Sequence, residues 1–118
     1  PNKLYYFIDG GMTDNIRPAL YQAKYNADII GKEDMLKSQI VTVAGKCCES
    51  GDIIIENIPL PKAIKGDLLI TYTTGAYGYS MSSNYNKALT PAVVFVNDGK
   101  DKLVCRRQTI DELLEREL

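Results

Sequence analysis

Between residues 44 and 52 the chain sets thiols, two carboxylates, a hydroxyl and two glycines in one run, Ala44-Gly45-Lys46-Cys47-Cys48-Glu49-Ser50-Gly51-Asp52. A free cysteine titrates near about 8.5, so its thiol is a usable proton donor at neutral pH. Glu49, next to Cys48, offers a carboxylate that could bind an ammonium group. Gly51 lets the backbone turn sharply before the next apolar segment. The plain alternative is a polar turn between strands that holds a half-buried, inert cysteine.

Two further groups have chemical potential. Gly75-Ala76-Tyr77-Gly78 places a phenol between two glycines, which suits close approach of backbone and hydroxyl to a ligand. The stretch that follows, to Tyr85 and Asn86, is polar and aromatic without periodicity, and a loop this long between strong strands is often functional. A turn whose tyrosines cover the core edge would look the same. Arg17 and Tyr21 form the third group. A guanidinium grips a carboxylate in two places and a phenol adds a third bond, although a surface arginine at a helix start needs no ligand.

Composition removes other chemistries. The chain has no histidine, which excludes His-containing zinc sites and Ser-His or Cys-His nucleophile pairs. Three cysteines without a CxxC spacing fit neither a disulfide framework nor a zinc site, and adjacent Cys47 and Cys48 rarely pair because the peptide between them would be strained. A net charge of −1 gives no broad field for phosphates, so a nucleic-acid partner is not expected. No apolar stretch approaches the roughly 20 residues that span a bilayer, and no basic-then-apolar leader is present. The expectation is a cytoplasmic protein with no membrane partner. At 118 residues there is room for one domain, and an opening at Pro1 is how a domain cut from a longer polypeptide would begin.

The elements that must position these groups are mostly strands. Leu4–Ile8 reads as a strand stopped by Asp9-Gly10-Gly11. Pro18 suits a first helical position, so a short helix is expected from Pro18 to about Ala23, with Arg17 at its entry and Tyr21 one turn away. Further strands are expected at 27–30, 39–43, 52–58, 68–72, 92–96 and 102–106. The one at 52–58, with consecutive isoleucines, should be buried on both faces and ended by Pro59 and Pro61. Asn97-Asp98-Gly99-Lys100 signals a hairpin. Thr109 and Glu112 complete a capping box for a short C-terminal helix. The arginine pair Arg106-Arg107 and that helix are assigned no chemistry. The fold class that follows is mainly β, a Greek-key-like β-barrel or sandwich with two short helices.

Taken in order, Asp9-Gly10-Gly11-Met12 with Arg17-Pro18-Ala19-Leu20-Tyr21, then Cys48-Glu49-Ser50-Gly51-Asp52, then Gly75-Ala76-Tyr77-Gly78 with Tyr85-Asn86, the sequence resembles diaminopimelate decarboxylases. These are pyridoxal-phosphate enzymes grouped with ornithine decarboxylase and alanine racemase. The resemblance covers essentially the whole chain, at the family's C-terminal end. It implies that residues 1–118 form a single C-terminal β-domain similar to that of alanine racemase. The (β/α)8 barrel, with the lysine that carries pyridoxal 5'-phosphate, would lie outside this chain.

The resemblance further implies a homodimer whose subunits share each active site, converting meso-2,6-diaminopimelate to L-lysine and carbon dioxide. Carried over by position, Arg17 and Tyr21 hold the substrate carboxylate and Cys48 is the proton donor reaching the partner subunit's site. Glu49 binds the distal amino group, and Tyr77 sits at the cofactor phosphate and substrate. The isolated fragment is expected to be inactive. Two alternatives stay open: a decarboxylase of the same fold acting on another basic amino acid, and a purely structural or dimerisation domain. The chain departs from the family after the helix, where Lys24-Tyr25-Asn26 stands in place of a histidine often found there, and Cys47 is an unusual neighbour for Cys48.

Overall fold

The isoleucines of 53–55 and the valines of 41 and 43 fix the centre of the fold, because β-branched side chains pack well on a pleated surface. The computed structural model describes residues 2–118. Its strands are β1 (Leu4–Phe7), β2 (Ala27–Ile29), β3 (Gln39–Ala44), β4 (Ile53–Leu60), β5 (Leu69–Thr71), β6 (Val93–Asn97) and β7 (Lys100–Cys105). Three short helices, α1 (Arg17–Tyr21), α2 (Gly75–Gly78) and α3 (Ile110–Leu114), and a 3-10 turn at Tyr85–Lys87 lie among them. The described strands form one three-stranded sheet, β1-β3-β4, and two antiparallel ribbons, β2-β5 and β6-β7. The core joins Val41 and Val43 of β3, Ile54, Ile55 and Leu60 of β4, and Ala27 and Ile29 of β2, with Tyr6, Ile8 and Tyr25 packed against it.

The mainly β expectation holds in its sandwich form. No sheet closes into a barrel among the described residues. Besides the two expected helices there is a third short helical stretch, α2, kinked at Ala76 and Tyr77, where the sequence has no periodicity to announce it. Helix α1 ends two residues earlier than expected: Gln22 turns left-handed at φ 52° and its N–H bonds back to Pro18 O at 3.0 Å. Strand β4 does not stop at Pro59 but pairs through it, with Ile40 opposite Pro59 and Gln39 opposite Leu60. Because β4 is an edge strand of its sheet, a residue without an N–H is tolerated there. Ile54 and Ile55 are both buried although adjacent, because the pairing slips between Val43 and Ala44 and gives β4 an extra residue.

One relationship in this sheet places the site. β1 and β3 run parallel, Phe7 beside Ala44, so the loops that leave them emerge at the same end. Backbone bonds continue the pairing beyond the strands, Ile8 N to Ala44 O at 3.0 Å and Lys46 N to Gly10 O at 3.1 Å. The hairpin β6-β7 stands apart, with Phe95 and Val96 mostly exposed. Asp98 and Gly99 at its tip both have positive φ, 50° and 70°, as the Asp-Gly signal requires. A radius of gyration of 15.5 Å exceeds the roughly 13–14 Å of a compact chain this long, in keeping with that projecting hairpin. No described helix is long and apolar enough to cross a membrane.

Candidate functional site

The loop after β1, the loop between β3 and β4, and the segment from α2 to the 3-10 turn come together at one end of the sheet. The first is folded on itself: Asp14 Oδ2 accepts from Gly11 N at 3.0 Å, and the N–H groups of Asp14 and Asn15 return to Gly11 O. Asp52, only 3% exposed, then ties the first loop to the second. Its Oδ1 accepts from Met12 N at 2.7 Å and its Oδ2 from Cys47 N at 2.8 Å. A carboxylate this buried needs such donors, and two main-chain N–H groups supply them. The backbone crowds it closely, so that a Cβ on Gly45 would lie 2.2 Å from Asp52 Oδ2 and one on Gly11 2.7 Å from it. Both positions therefore require glycine.

Two bonds tie the third segment to these loops. Ser83 N donates to Thr13 O at 3.1 Å, and Cys48 N donates to Asn86 Oδ1 at 2.7 Å. Asn86 and Lys87 both have positive φ, 56° and 58°. Asparagine is one of the few side-chain-bearing residues that accept this conformation readily.

Tyr77 is set more unusually. Ala76 at φ −67°, ψ 128° and Tyr77 at φ 68°, ψ −22° trace a type II turn with tyrosine where glycine is the ordinary choice. Such a residue carries strain of about 1 kcal/mol. The turn delivers the Tyr77 ring, 62% exposed, to Arg17, whose Cζ lies 5.0 Å from its centroid. The ring of Tyr21 flanks the same guanidinium at 5.6 Å, and Arg17 Nε donates to Tyr25 Oη at 3.2 Å. Neither Nη of Arg17 nor the Tyr77 hydroxyl has a hydrogen-bond partner among the described residues.

The site residues named from sequence thus fall into two groups. Arg17, Tyr21 and Tyr77 share one cluster. Cys48 and Glu49 share another, on a turn where Glu49 Oε1 accepts from Gly51 N at 2.9 Å. Among the described residues no hydrogen bond or ion pair joins the two groups directly; the segment from Tyr77 to Asn86 links them. Both Cys48 and Glu49 are exposed, and Cys47 is half-buried. Burial, followed by the hydrogen bond and charge of Asp52, pushes the Cys47 thiol up from its ordinary value. The two neighbouring thiols are therefore distinct in kind, Cys47 turned toward Asp52 and Cys48 toward solvent.

Sequence reasoning gave no role to Asp52, Asn86 or Tyr25. A signal for Asp52 was present, a carboxylate opening a run of isoleucines and preceded by paired glycines in an earlier loop. None existed for Tyr25, whose bond to Arg17 depends on how α1 ends.

Comparison with known proteins follows the same outline. The C-terminal sheet domain of pyridoxal-dependent decarboxylases matches residues 1–75. The diaminopimelate decarboxylase of Bacillus subtilis (strain 168) is 52% identical over 114 residues, which are 97% of this chain and 26% of that protein. That of Bacillus methanolicus is 54% identical over 109 residues, 92% of this chain and 25% of its own length. The chain therefore spans about a quarter of the length of these relatives. The crystal structure of Helicobacter pylori diaminopimelate decarboxylase complexed with L-lysine superposes with a TM-score of 0.87 at 31% identity, over 98% of this chain and 28% of that one. With most of its length matched, from β1 through the Asp52 staple to the threshold of the Tyr77 turn, the chain belongs to the pyridoxal-dependent decarboxylase family, as a C-terminal sheet domain.

Proposed function

We propose that this chain is the C-terminal β-domain of a two-domain decarboxylase that converts meso-2,6-diaminopimelate to L-lysine and carbon dioxide in the cytoplasm. Its cofactor-bearing (β/α)8 barrel lies outside the chain. The observation that carries the reading is the meeting of a free arginine fork and an exposed phenol at one end of a sheet that also presents a thiol and a carboxylate. A small diamine with two carboxylates needs those partners.

The residues fit the edge of a site for pyridoxal phosphate. The unpartnered Tyr77 hydroxyl is a donor free for a phosphate oxygen, and the two Nη groups of Arg17 are free for a carboxylate. When bound, the cofactor supplies the sink for the electron pair left as carbon dioxide departs. Arg17, with Tyr21 beside it, holds the carboxylate that stays on the product. Glu49 Oε2, not used by its own turn, takes the distal ammonium. The Cys48 Sγ–H gives a proton to the carbon that lost carbon dioxide and regains one from solvent, to which it is open.

The lack of a direct bond between the two groups among the described residues fits a homodimer in which one subunit's Cys48 and Glu49 serve the site that its partner's barrel forms. Mixing full-length Cys48→Ala protein with full-length protein lacking the cofactor-bearing lysine tests this. Shared sites restore one working site per mixed dimer, whereas a structural domain gives no rescue. The high identity to diaminopimelate decarboxylases favours diaminopimelate over another basic amino acid. A substrate panel on the full-length enzyme, with Glu49→Gln for the distal amine, checks that choice.

A further inference from the structure

Arg17 is surrounded in a way that its proposed task alone does not demand. Its Nε–H donates to Tyr25 Oη at 3.2 Å, and the rings of Tyr21 and Tyr77 lie 5.6 and 5.0 Å from its Cζ. Two rings and the Tyr25 hydroxyl thus surround the guanidinium, while neither Nη group has a hydrogen-bond partner among the described residues. A guanidinium held by rings alone can rotate in their plane at little cost, because attraction to a ring face has weak directionality within that plane. The bond at Nε removes that freedom. It leaves the two Nη groups as the guanidinium's own donors for a planar anion.

The half-buried ring of Tyr25 packs against the core that β2, β3 and β4 form, and the chain enters β2 two positions later, at Ala27. The hydroxyl is therefore referenced to the core, whereas Tyr21 and Tyr77 are largely exposed and can adjust. We propose that Tyr25 is a positioning residue: its hydroxyl fixes the Arg17 fork so that the site selects ligands bearing a carboxylate. The assignment rests on the functional reading above. It adds to that reading the group that sets the fork's orientation.

The experiment uses the cofactor-loaded full-length enzyme and calorimetric binding of two ligands, L-lysine and 1,5-diaminopentane. They share the same carbon chain and amines, but only the first has a carboxylate. Tyr25→Phe removes one hydroxyl and keeps the ring, so the packing stays. The expected result is weakening of L-lysine binding by about fivefold, as for loss of one partly solvated hydrogen bond to a charged group. Binding of 1,5-diaminopentane should stay within about twofold, and KM for the substrate should rise while kcat holds. In an Arg17→Ala background the same change should do nothing more, since the two act as one unit.

Equal weakening of both ligands by Tyr25→Phe, or no weakening of L-lysine, overturns the assignment. If the unmodified full-length enzyme neither binds L-lysine nor releases carbon dioxide from diaminopimelate, the functional reading itself fails, which is a different result from an unchanged Tyr25→Phe variant.

Discussion

The backbone N–H of Cys48 donates to the side-chain oxygen of Asn86 at 2.7 Å, across 38 positions of sequence. That bond fixes the turn carrying the thiol against the segment carrying Tyr77. Removing it with Asn86→Ala should loosen Cys48 and lower kcat of the full-length enzyme about tenfold, with KM changed far less. Asn86 has φ 56°, so alanine also adds strain there. Asn86→Gly avoids the strain but also lacks the acceptor, and it should show the same kcat loss with higher stability than Asn86→Ala.

The two adjacent cysteines should label at different rates. Cys48 is exposed, whereas the Cys47 thiol is pushed up by burial and by Asp52. Because the thiolate is the reactive form, a maleimide at pH 7.5 should modify Cys48 roughly tenfold faster than Cys47. Peptide mapping by mass spectrometry reads the ratio, and Asp52→Asn should narrow it by lowering the Cys47 value.

The Asp52 staple makes a stability prediction. Gly45→Ala would put a methyl group 2.2 Å from Asp52 Oδ2, a separation that only displacement of the carboxylate can relieve. A loss of about 2–4 kcal/mol is expected in urea denaturation, from overpacking together with a disturbed buried carboxylate. Asp52→Asn keeps the volume but can accept with one oxygen only, and should cost about 1–3 kcal/mol.

The C-terminal helix should respond to acid. Arg106 and the backbone N–H of Thr109 hold the Glu112 carboxyl down to about 2, from an ordinary 4.5. A depressed carboxyl stabilises the folded form fully above its unfolded value, and that contribution disappears as pH falls through the folded one. The attachment of α3 should therefore weaken between about pH 4.5 and about pH 2, over the range set by these two values. Amide exchange of residues 110–114 follows it directly, and Glu112→Gln should show the weakened attachment at neutral pH with little further change on acidification.

Local sequence was enough where neighbours in the chain decide the structure. The Thr109–Glu112 capping box forms as the residues predict, with Glu112 N on Thr109 Oγ1 at 3.3 Å and Thr109 N on Glu112 Oε2 at 2.8 Å. The Asp-Gly hairpin and the start of α1 at the Arg17-Pro18 step also follow from side-chain and dihedral preferences within a few residues. Residue types likewise named the chemistry available: a guanidinium at 17, a thiol at 48, a carboxylate at 49 and a phenol at 77.

Tertiary structure decided which of these meet. The parallel pairing of β1 with β3 brings the loops of residues 9–15 and 45–52 to one end, and no local preference encodes a partner more than 30 positions away. The left-handed Tyr77 runs against its own propensity and is kept there by Arg17 and by the Ser83–Thr13 bond. Pro59 stays within a strand because β4 lies at an edge, which pairing alone determines. Asp52, a plain polar turn residue by composition, becomes the staple of the site because two loops offer their N–H groups to a buried carboxylate.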